Sequence, residues 1–375
     1  MRISFILPTV TMGGGTRVVG IYAQELMKRG HDVCLISPPP QLLPPKKKLK
    51  SWLKGDGWPQ DLSKLPSHLD QLDLDHRIID VWRPITDDDV PDGDIVIATW
   101  WETAEWVNKL SPEKGAKVYF VQGHEVFPHL PIIRSSATYL LPMHKVVVAQ
   151  WLKDVMINEY DDHVVDVVPN GVDHSQFFGP VREKRRIPTV GLLYSSVALK
   201  GLDLSLAALG LVGGSFPELH VVSFGSEPIR PHLHLPENAE FFLNPPQEEI
   251  RNVYARCDVW IAASRTEGFN LPAMEAMACR TPVVSTRAGW PAEAVKSGWN
   301  GVLVEVDDLT AFANGIEWVL TRSGEDWRAL STNAYATVSS SSWEKSAAMF
   351  ERALEHACGR AVRNEIAGRC NSRRG

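Results

Sequence analysis

The feature that most constrains this chain is an alternation that runs through it twice. Apolar runs of strand length recur at 3–7, 33–37, 95–99, 117–121 and 146–149, separated by stretches of helical period. The pattern restarts after Pro169-Asn170-Gly171-Val172-Asp173 and a polar stretch near 173–188. Strands are then predicted at 189–193, 219–224, 258–262, 282–285 and 301–304, with helices at 202–211, 247–256 and 271–279. Strands that alternate with helices build βαβ units and mostly parallel sheets. Two such series predict an α/β chain of two doubly wound domains. Ligands of such sheets bind at the carboxyl ends of the strands, so two facing domains predict a cleft between them.

Local signals refine this outline. The first helix is predicted over 16–29, with Val18, Tyr22 and Leu26 on one face and Gly30 as its stop. Helices are expected at 308–322, 325–337 and 342–357, the last with Trp343, Phe350, Leu354 and Ala357 on one face. The Arg-rich end, 359–375, is expected to fray as a flexible basic tail.

Composition sets the outer limits. A length of 375 residues suits about two domains, and 44% hydrophobic with 22% charged residues excludes a disordered chain. Lys and Arg number 39 against 45 Asp and Glu, a net charge of -6, which argues against a nucleic-acid binder working by bulk charge. No apolar run reaches the roughly 18 residues of a membrane span. The apolar start is too short for a secretory leader. The five cysteines (Cys34, Cys257, Cys279, Cys358, Cys370) lack metal-ligand spacing, so they are expected to be reduced packing residues of a cytoplasmic protein. The stretch 46–54 carries Lys46, Lys47, Lys48, Lys50 and Lys54 around Leu49, Trp52 and Leu53. It reads either as a peripheral contact with an anionic membrane face or as a solvated loop folded back on its domain.

Two motifs carry chemistry. Met12-Gly13-Gly14-Gly15-Thr16 lies between the first strand and first helix, where glycines admit close backbone approach and a helix start offers N–H groups to an anion. A dinucleotide fingerprint needs another glycine spacing and a carboxylate closing the second strand; that strand ends Ile36-Ser37-Pro38. The second motif runs from Ser264 to Cys279. Pro272 suits the first turn of a helix and Asn270 or Leu271 its cap. Glu267 then lies on the loop ahead of the helix and Glu275 one turn inside it. Free N–H groups at the helix start favour phosphate, and carboxylates accept from sugar hydroxyls.

These residues carry a resemblance. Glu267 and Glu275, spaced Glu-x7-Glu, precede Thr281-Pro282-Val283-Val284-Ser285 and Gly289. This resembles the donor-site signature of the retaining GT-B glycosyltransferases of family four. Gly13-Gly14-Gly15, Arg29-Gly30-His31-Asp32-Val33, Val168 to Asp173 with Phe177, and Asn300-Gly301-Val302-Leu303-Val304 resemble other patterns of that family in the same order. The similarity spans about residues 2–357.

The resemblance implies a GT-B fold of two Rossmann-like domains and a retaining transfer of sugar from a nucleotide-diphospho-sugar to a glycan, lipid-linked or small-molecule acceptor. It implies an acceptor domain over 1–175, with helix 342–357 packing back on it, and a donor domain over 176–341. Glu275 is expected on the ribose, and Glu267 with Gly268, Phe269, Asn270 and Leu271 on the donor sugar. Lys200 is expected on the diphosphate, with Gly14, Gly15, Ser195, Ser196 or Arg230 as further diphosphate groups. Where the family usually has an arginine, six positions before Lys200, this chain has Tyr194. His124, in Phe120-Val121-Gln122-Gly123-His124-Glu125, is expected at the donor sugar; Glu125, Trp100 and Trp101 are expected to face the acceptor. This stretch resembles a subgroup linked to rhamnose, which leans toward a dTDP-deoxyhexose. No cofactor or metal is implied, although Asp73-Leu74-Asp75 and Asp92-Gly93-Asp94 have a metal-site pattern. A nucleotide-sugar epimerase and a non-catalytic relative stay open as alternatives, the latter because of Tyr194.

Overall fold

The computed structural model describes residues 1–41 and 65–370 and, between them, Lys46, Lys48, Leu49 and Trp52. The reading of 46–54 as a membrane contact therefore falls mostly outside the described residues. Among the described residues no helix is long and apolar enough to cross a membrane. The chain divides into two compact units. The first comprises Met1–Val148, Leu152–Val168 and Ala347–Gly375, and the second Ala149–Trp151 and Pro169–Ser346. The division thus falls at Val168, a few residues before the expected 175.

The first unit is built on strands β1 (Arg2–Ile6), β2 (Asp32–Ser37), β3 (Asp75–Ile78), β4 (Ile95–Ala98), β5 (Ala116–Val121), β6 (His144–Val147) and β7 (Val165–Val167). They form one sheet in the order β3-β2-β1-β4-β5-β6-β7, and every pairing is parallel. Its helices are α1 (Gly14–Lys28), α2 (Trp101–Lys109), α3 (Ile132–Ala137) and α4 (Gln150–Tyr160). β1 is central, with Phe5 level with Leu35 on one side and Ile97 on the other. A strand covered on both faces needs apolar residues throughout, which is why the central strands read as continuous apolar runs. The strand order reverses between β1 and β4, which opens a crevice at their carboxyl ends.

The second unit carries β8 (Thr189–Tyr194), β9 (His220–Gly225), β10 (Ala239–Leu243), β11 (Val259–Ala262), β12 (Val283–Thr286) and β13 (Gly301–Val304). Its order is β10-β9-β8-β11-β12-β13, again all parallel, with the reversal between β8 and β11. Helices α5 (Leu202–Ser215), α6 (Gln247–Ala255), α7 (Leu271–Ala278), α8 (Pro291–Ala294), α9 (Leu309–Leu320) and α10 (Gly324–Val338) surround it. The final helix, α11 (Trp343–Val362), places Phe350 in the first unit's core, 4.6 Å from Tyr22 and 5.0 Å from Phe120 between ring centroids.

Two expectations for the chain's end need correction. The tail from 359 does not fray over its described part. Lys117 N donates to Ala367 O at 3.0 Å, Ala367 N to Pro142 O at 2.8 Å and Arg369 N to Pro112 O at 3.1 Å. These bonds seat the tail along the amino end of β5. They bring Cys370 back to Cys358, and the two form a disulfide, so not all five cysteines are reduced. Cys34, Cys257 and Cys279 are free and buried, with thiols pushed up by desolvation, as packing residues are.

Candidate functional site

The carboxyl edge of the second sheet gathers the expected residues from two loops. After β8, a short turn over Ala198–Lys200 ends at Gly201, whose φ of 64° is left-handed. A β-carbon there would lie 1.9 Å from Ala263 O, so only glycine lets this turn press against the loop after β11. Arg265 N donates to Leu199 O at 2.8 Å across the same contact. Lys200 and Glu267, far apart in sequence, are thereby brought together: Lys200 Nζ lies 2.7 and 2.8 Å from the two Glu267 carboxylate oxygens. Ser264 Oγ donates to Glu267 Oε1 at 2.8 Å. The Glu267 side chain is 10% exposed and that of Lys200 37%, so the ammonium is the more accessible partner.

Glu267 leads into α7. Asn270 has a φ of 80°, and its side chain accepts from Ala273 N at 3.3 Å, an N-cap with Pro272 just inside the helix. Pro272 carries no N–H and Ala273 N is taken up by Asn270, so backbone donors at this helix start come from Leu271 and the loop before it. The loop is clamped from behind. Phe269 stacks on Trp290 at 5.5 Å, and Trp290 N donates to Phe269 O at 2.9 Å. Gly289, at φ 68°, leaves no room for a β-carbon, which would fall 2.7 Å from Glu267 Cβ. Trp151 Nε1 donates to Gly268 O at 2.9 Å. Glu275 lies within α7 at 5% exposure, and Tyr254 Oη donates to its Oε2 at 2.8 Å. Of these supporting groups Ser264, Phe269, Asn270, Pro272 and Gly289 carried a signal in the sequence. Tyr254 and Trp151 reach the site from distant elements with no local motif.

The neighbouring serines and Tyr194 differ from expectation. Ser196 spends both its N–H and its hydroxyl on Glu227, at 2.6 and 2.7 Å, and Arg230 pairs with the same carboxylate at 3.2 Å. Ser195 Oγ accepts from Val197 N at 3.4 Å. Tyr194 points into the unit's core, with its ring 5.3 Å from Phe241. Its hydroxyl donates to Leu233 O at 3.1 Å and accepts from Arg230 N at 2.7 Å. The tyrosine therefore does not stand in for a guanidinium at the surface; it pins the loop that carries Arg230.

In the first unit, Gly14 and Gly15 open α1, with Gly13 as its cap. A β-carbon on Gly14 would meet nothing within 4 Å, and one on Gly15 would touch Gln122 Nε2 at 3.5 Å. His124 follows β5. Its Nε2 lies 2.7 Å from Tyr160 Oη, and burial lowers its pKa against a weaker opposing pull from Glu159, so it is neutral at pH 7. Glu125 and Trp101, expected to face an acceptor, are corrected to structural roles. Glu125 is 2% exposed; it accepts from Trp101 N at 2.7 Å at the start of α2 and from Tyr119 Oη at 3.2 Å. Burial raises its pKa well above the usual carboxylate range, which those hydrogen bonds only partly oppose. Trp101 is buried beneath Arg134, whose guanidinium lies 5.0 Å from its ring centre. Trp100, half-buried, caps α2 through its backbone.

Neither Asp-x-Asp pattern gathers its carboxylates for a cation. Asp75 pairs with Arg77 at 2.6 Å, Asp92 with Lys114 at 2.9 Å, and Asp94 accepts from Arg2 N at 2.8 Å. Sequence spacing gave no hint of a different cluster. His144, Asp166 and His356 bring three donor atoms within 4.8 Å of one another. Arg360 Nη1 lies 3.1 Å from His144 Nδ1, so that nitrogen accepts and Nε2 carries the proton facing Asp166 Oδ2 at 2.8 Å. Coordination through Nε2 requires the other tautomer, so this cluster is a hydrogen-bonded tie between β6, β7 and α11.

Residues 177–337 match the family described as glycosyl transferases group 1. The fold is GT-B, as it is in solved structures of low sequence identity. Sucrose-phosphate synthase from Thermosynechococcus elongatus superposes with a TM-score of 0.69 at 16% identity, covering 95% of this chain and 98% of that one. The Anabaena protein HepE, solved in complex with UDP and glucose, superposes with a TM-score of 0.70 at 16% identity, covering 95% and 100%. Among curated relatives, the D-inositol 3-phosphate glycosyltransferase of Mycolicibacterium smegmatis is 30% identical over 184 residues, 45% of this chain. The match spans 42% of that relative's length, so the chain covers less than half of it.

Proposed function

We propose that this protein is a retaining glycosyltransferase whose second unit binds a nucleotide-diphospho-sugar and whose first unit takes the hydroxylated acceptor. The observation that carries this reading is the Lys200–Glu267 pair, held by Ser264 beside the start of α7. In the reaction, the bond between the anomeric carbon and the diphosphate oxygen breaks, and its electron pair leaves with the diphosphate. The acceptor oxygen forms the new bond on the face the diphosphate leaves, and its proton passes to the departing diphosphate oxygen. Negative charge grows on the leaving group, where Lys200 Nζ and the backbone N–H groups of Gly268 to Leu271, ahead of α7, stabilise it. Glu267 accepts from sugar hydroxyls, and Glu275, oriented by Tyr254, accepts from ribose hydroxyls. Positioning and leaving-group stabilisation supply the catalysis, without a metal. His124, neutral and hydrogen-bonded to Tyr160, contributes from the first unit as a contact to the transferred sugar.

The test is turnover of UDP-, GDP-, ADP- and dTDP-sugars, followed by the anomeric configuration of the product. UDP-sugars head the panel because HepE binds UDP and glucose; a dTDP-deoxyhexose follows from the Gln122-Gly123-His124-Glu125 stretch. Transfer with retention supports the reading, and transfer with inversion contradicts it. Tight nucleotide binding without turnover selects the competing reading of a non-catalytic relative, which rests on the inward orientation of Tyr194.

A further inference from the structure

The amino ends of β8 and β9, opposite the edge that holds Lys200 and Glu267, carry a second constellation that the transfer reaction does not use. Residues 182–189 are tied down at alternate points. The Arg182 guanidinium lies 4.4 Å from the ring centre of Trp327 and donates to Cys257 O. Lys184 Nζ donates to Leu320 O and, at 2.9 Å, to Arg322 O. The fully buried Asp258 carboxylate accepts from Arg185 N at 2.9 Å and Thr189 N at 3.0 Å. This clamp fixes the backbone while the side chains of Arg185 and Arg186 stay exposed.

These two arginines line a cavity of about 510 Å³ with Ile187, Glu218, His220 and Arg256. The volume lies within the roughly 300–1,000 Å³ of small-molecule sites. Arg256 is already committed: its guanidinium binds Glu240 at 2.5 and 3.0 Å, and His220 lies 3.3 Å from the same carboxylate. Among the described residues Arg185, Arg186 and Glu218 make no ion pair. The cavity thus offers two adjacent guanidinium forks, suited to bidentate capture of a phosphate, and one carboxylate that repels further anions but accepts from hydroxyls.

We propose that this cavity binds a phosphate monoester of a polyhydroxylated molecule, a sugar or polyol phosphate, with Arg185 and Arg186 on the phosphate and Glu218 on the hydroxyls. The site is separate from the donor groups and does not depend on the proposed activity. It is tested by calorimetric titration of the full-length protein with glucose 6-phosphate, inorganic phosphate and glucose. Glucose 6-phosphate should bind more tightly than phosphate, and glucose should not bind. The R185A/R186A double variant should weaken glucose 6-phosphate binding by about tenfold or more. Glu218→Gln should weaken glucose 6-phosphate and spare phosphate, while Lys200→Met should leave both unchanged. R185K/R186K, which keeps charge but loses the forks, should give an intermediate loss, and circular dichroism confirms that each variant is folded. The same chemistry on a lipid headgroup is examined by sedimentation with phosphatidylcholine vesicles containing phosphatidylinositol 4-phosphate. Binding of either form that falls in the double-alanine variant supports the site. Equal binding by parent and double variant, loss of binding in Lys200→Met, or no binding of either form overturns it.

Discussion

Replacing Gly201 by alanine tests the geometry that brings Lys200 to Glu267. The residue sits at φ 64° and ψ 31°, where an alanine costs about 1–2 kcal/mol. Its β-carbon would also stand 1.9 Å from Ala263 O and 2.7 Å from Ala263 C. Both are backbone atoms, so no rotamer change relieves the clash, and overpacking of this kind costs about 1–3 kcal/mol. The lower entropy of the unfolded alanine chain returns about 0.4–1 kcal/mol. The net expectation is a loss of about 3 kcal/mol, which for a unit of this size lowers the midpoint by roughly 6–12 °C. Gly210→Ala is the matched control: it lies within α5, and its β-carbon would meet nothing within 4 Å. That change should stabilise by about 0.5–1 kcal/mol through helix propensity alone. Urea and thermal unfolding of both variants give the comparison. A Gly201→Ala protein within about 0.5 kcal/mol of the parent, or two substitutions that shift stability the same way, would refute the reasoning.

Further outcomes are expected. Lys200→Met should cost no more than about 1 kcal/mol of stability, since the pair is partly exposed. It should lower kcat on a nucleotide sugar by about 10²–10³, read from nucleotide release. Tyr254→Phe keeps its ring packing against Trp260 at 4.6 Å but removes the hydrogen bond to Glu275. The donor KM should rise about fivefold with kcat little changed, a split that loss of folded protein would not produce. Burial pushes the Asp166 carboxyl up, but hydrogen bonds from His144 and His356 outweigh it and hold the group at about 2, below its usual 3.8. A depressed carboxyl stabilises fully above its unfolded pKa and loses that contribution as pH falls through the folded one. Asp166→Asn should therefore cost about 1 kcal/mol at neutral pH, discounted for solvent screening, and flatten acid unfolding between about pH 4 and 2.

Much of the fold was legible because parallel strands buried on both faces leave unbroken apolar runs, as in β4 and β11. Three of the four edge strands, β3, β7 and β10, were not: β3 reads Asp75-His76-Arg77-Ile78 and β10 starts Ala239-Glu240, because an edge strand buries less and tolerates charge, whereas the edge strand β13, Gly301-Val302-Leu303-Val304, is apolar and was readable. The disulfide was illegible, since the tail's return to β5, and not the spacing of Cys358 and Cys370, decides it. At the site, Asn270 and Pro272 announce the helix start locally, so the loop with Glu267 was readable. The pairing of Lys200 with Glu267 needs the contact of Gly201 with Ala263, which only the fold creates. The exposure of Glu125 and Trp101 was misjudged for the same reason. A residue just past a strand's carboxyl end can face a ligand or cap the next helix, and the choice is made by what packs above it.

Equilibrium titration with UDP and UDP-glucose tests the central claim most directly, with the parent protein beside Lys200→Met and Glu275→Gln. The account predicts that the parent binds at least one of the two and that both substitutions weaken it by about tenfold or more. Binding of equal strength in all three proteins, or none in the parent with any nucleotide sugar, would contradict it.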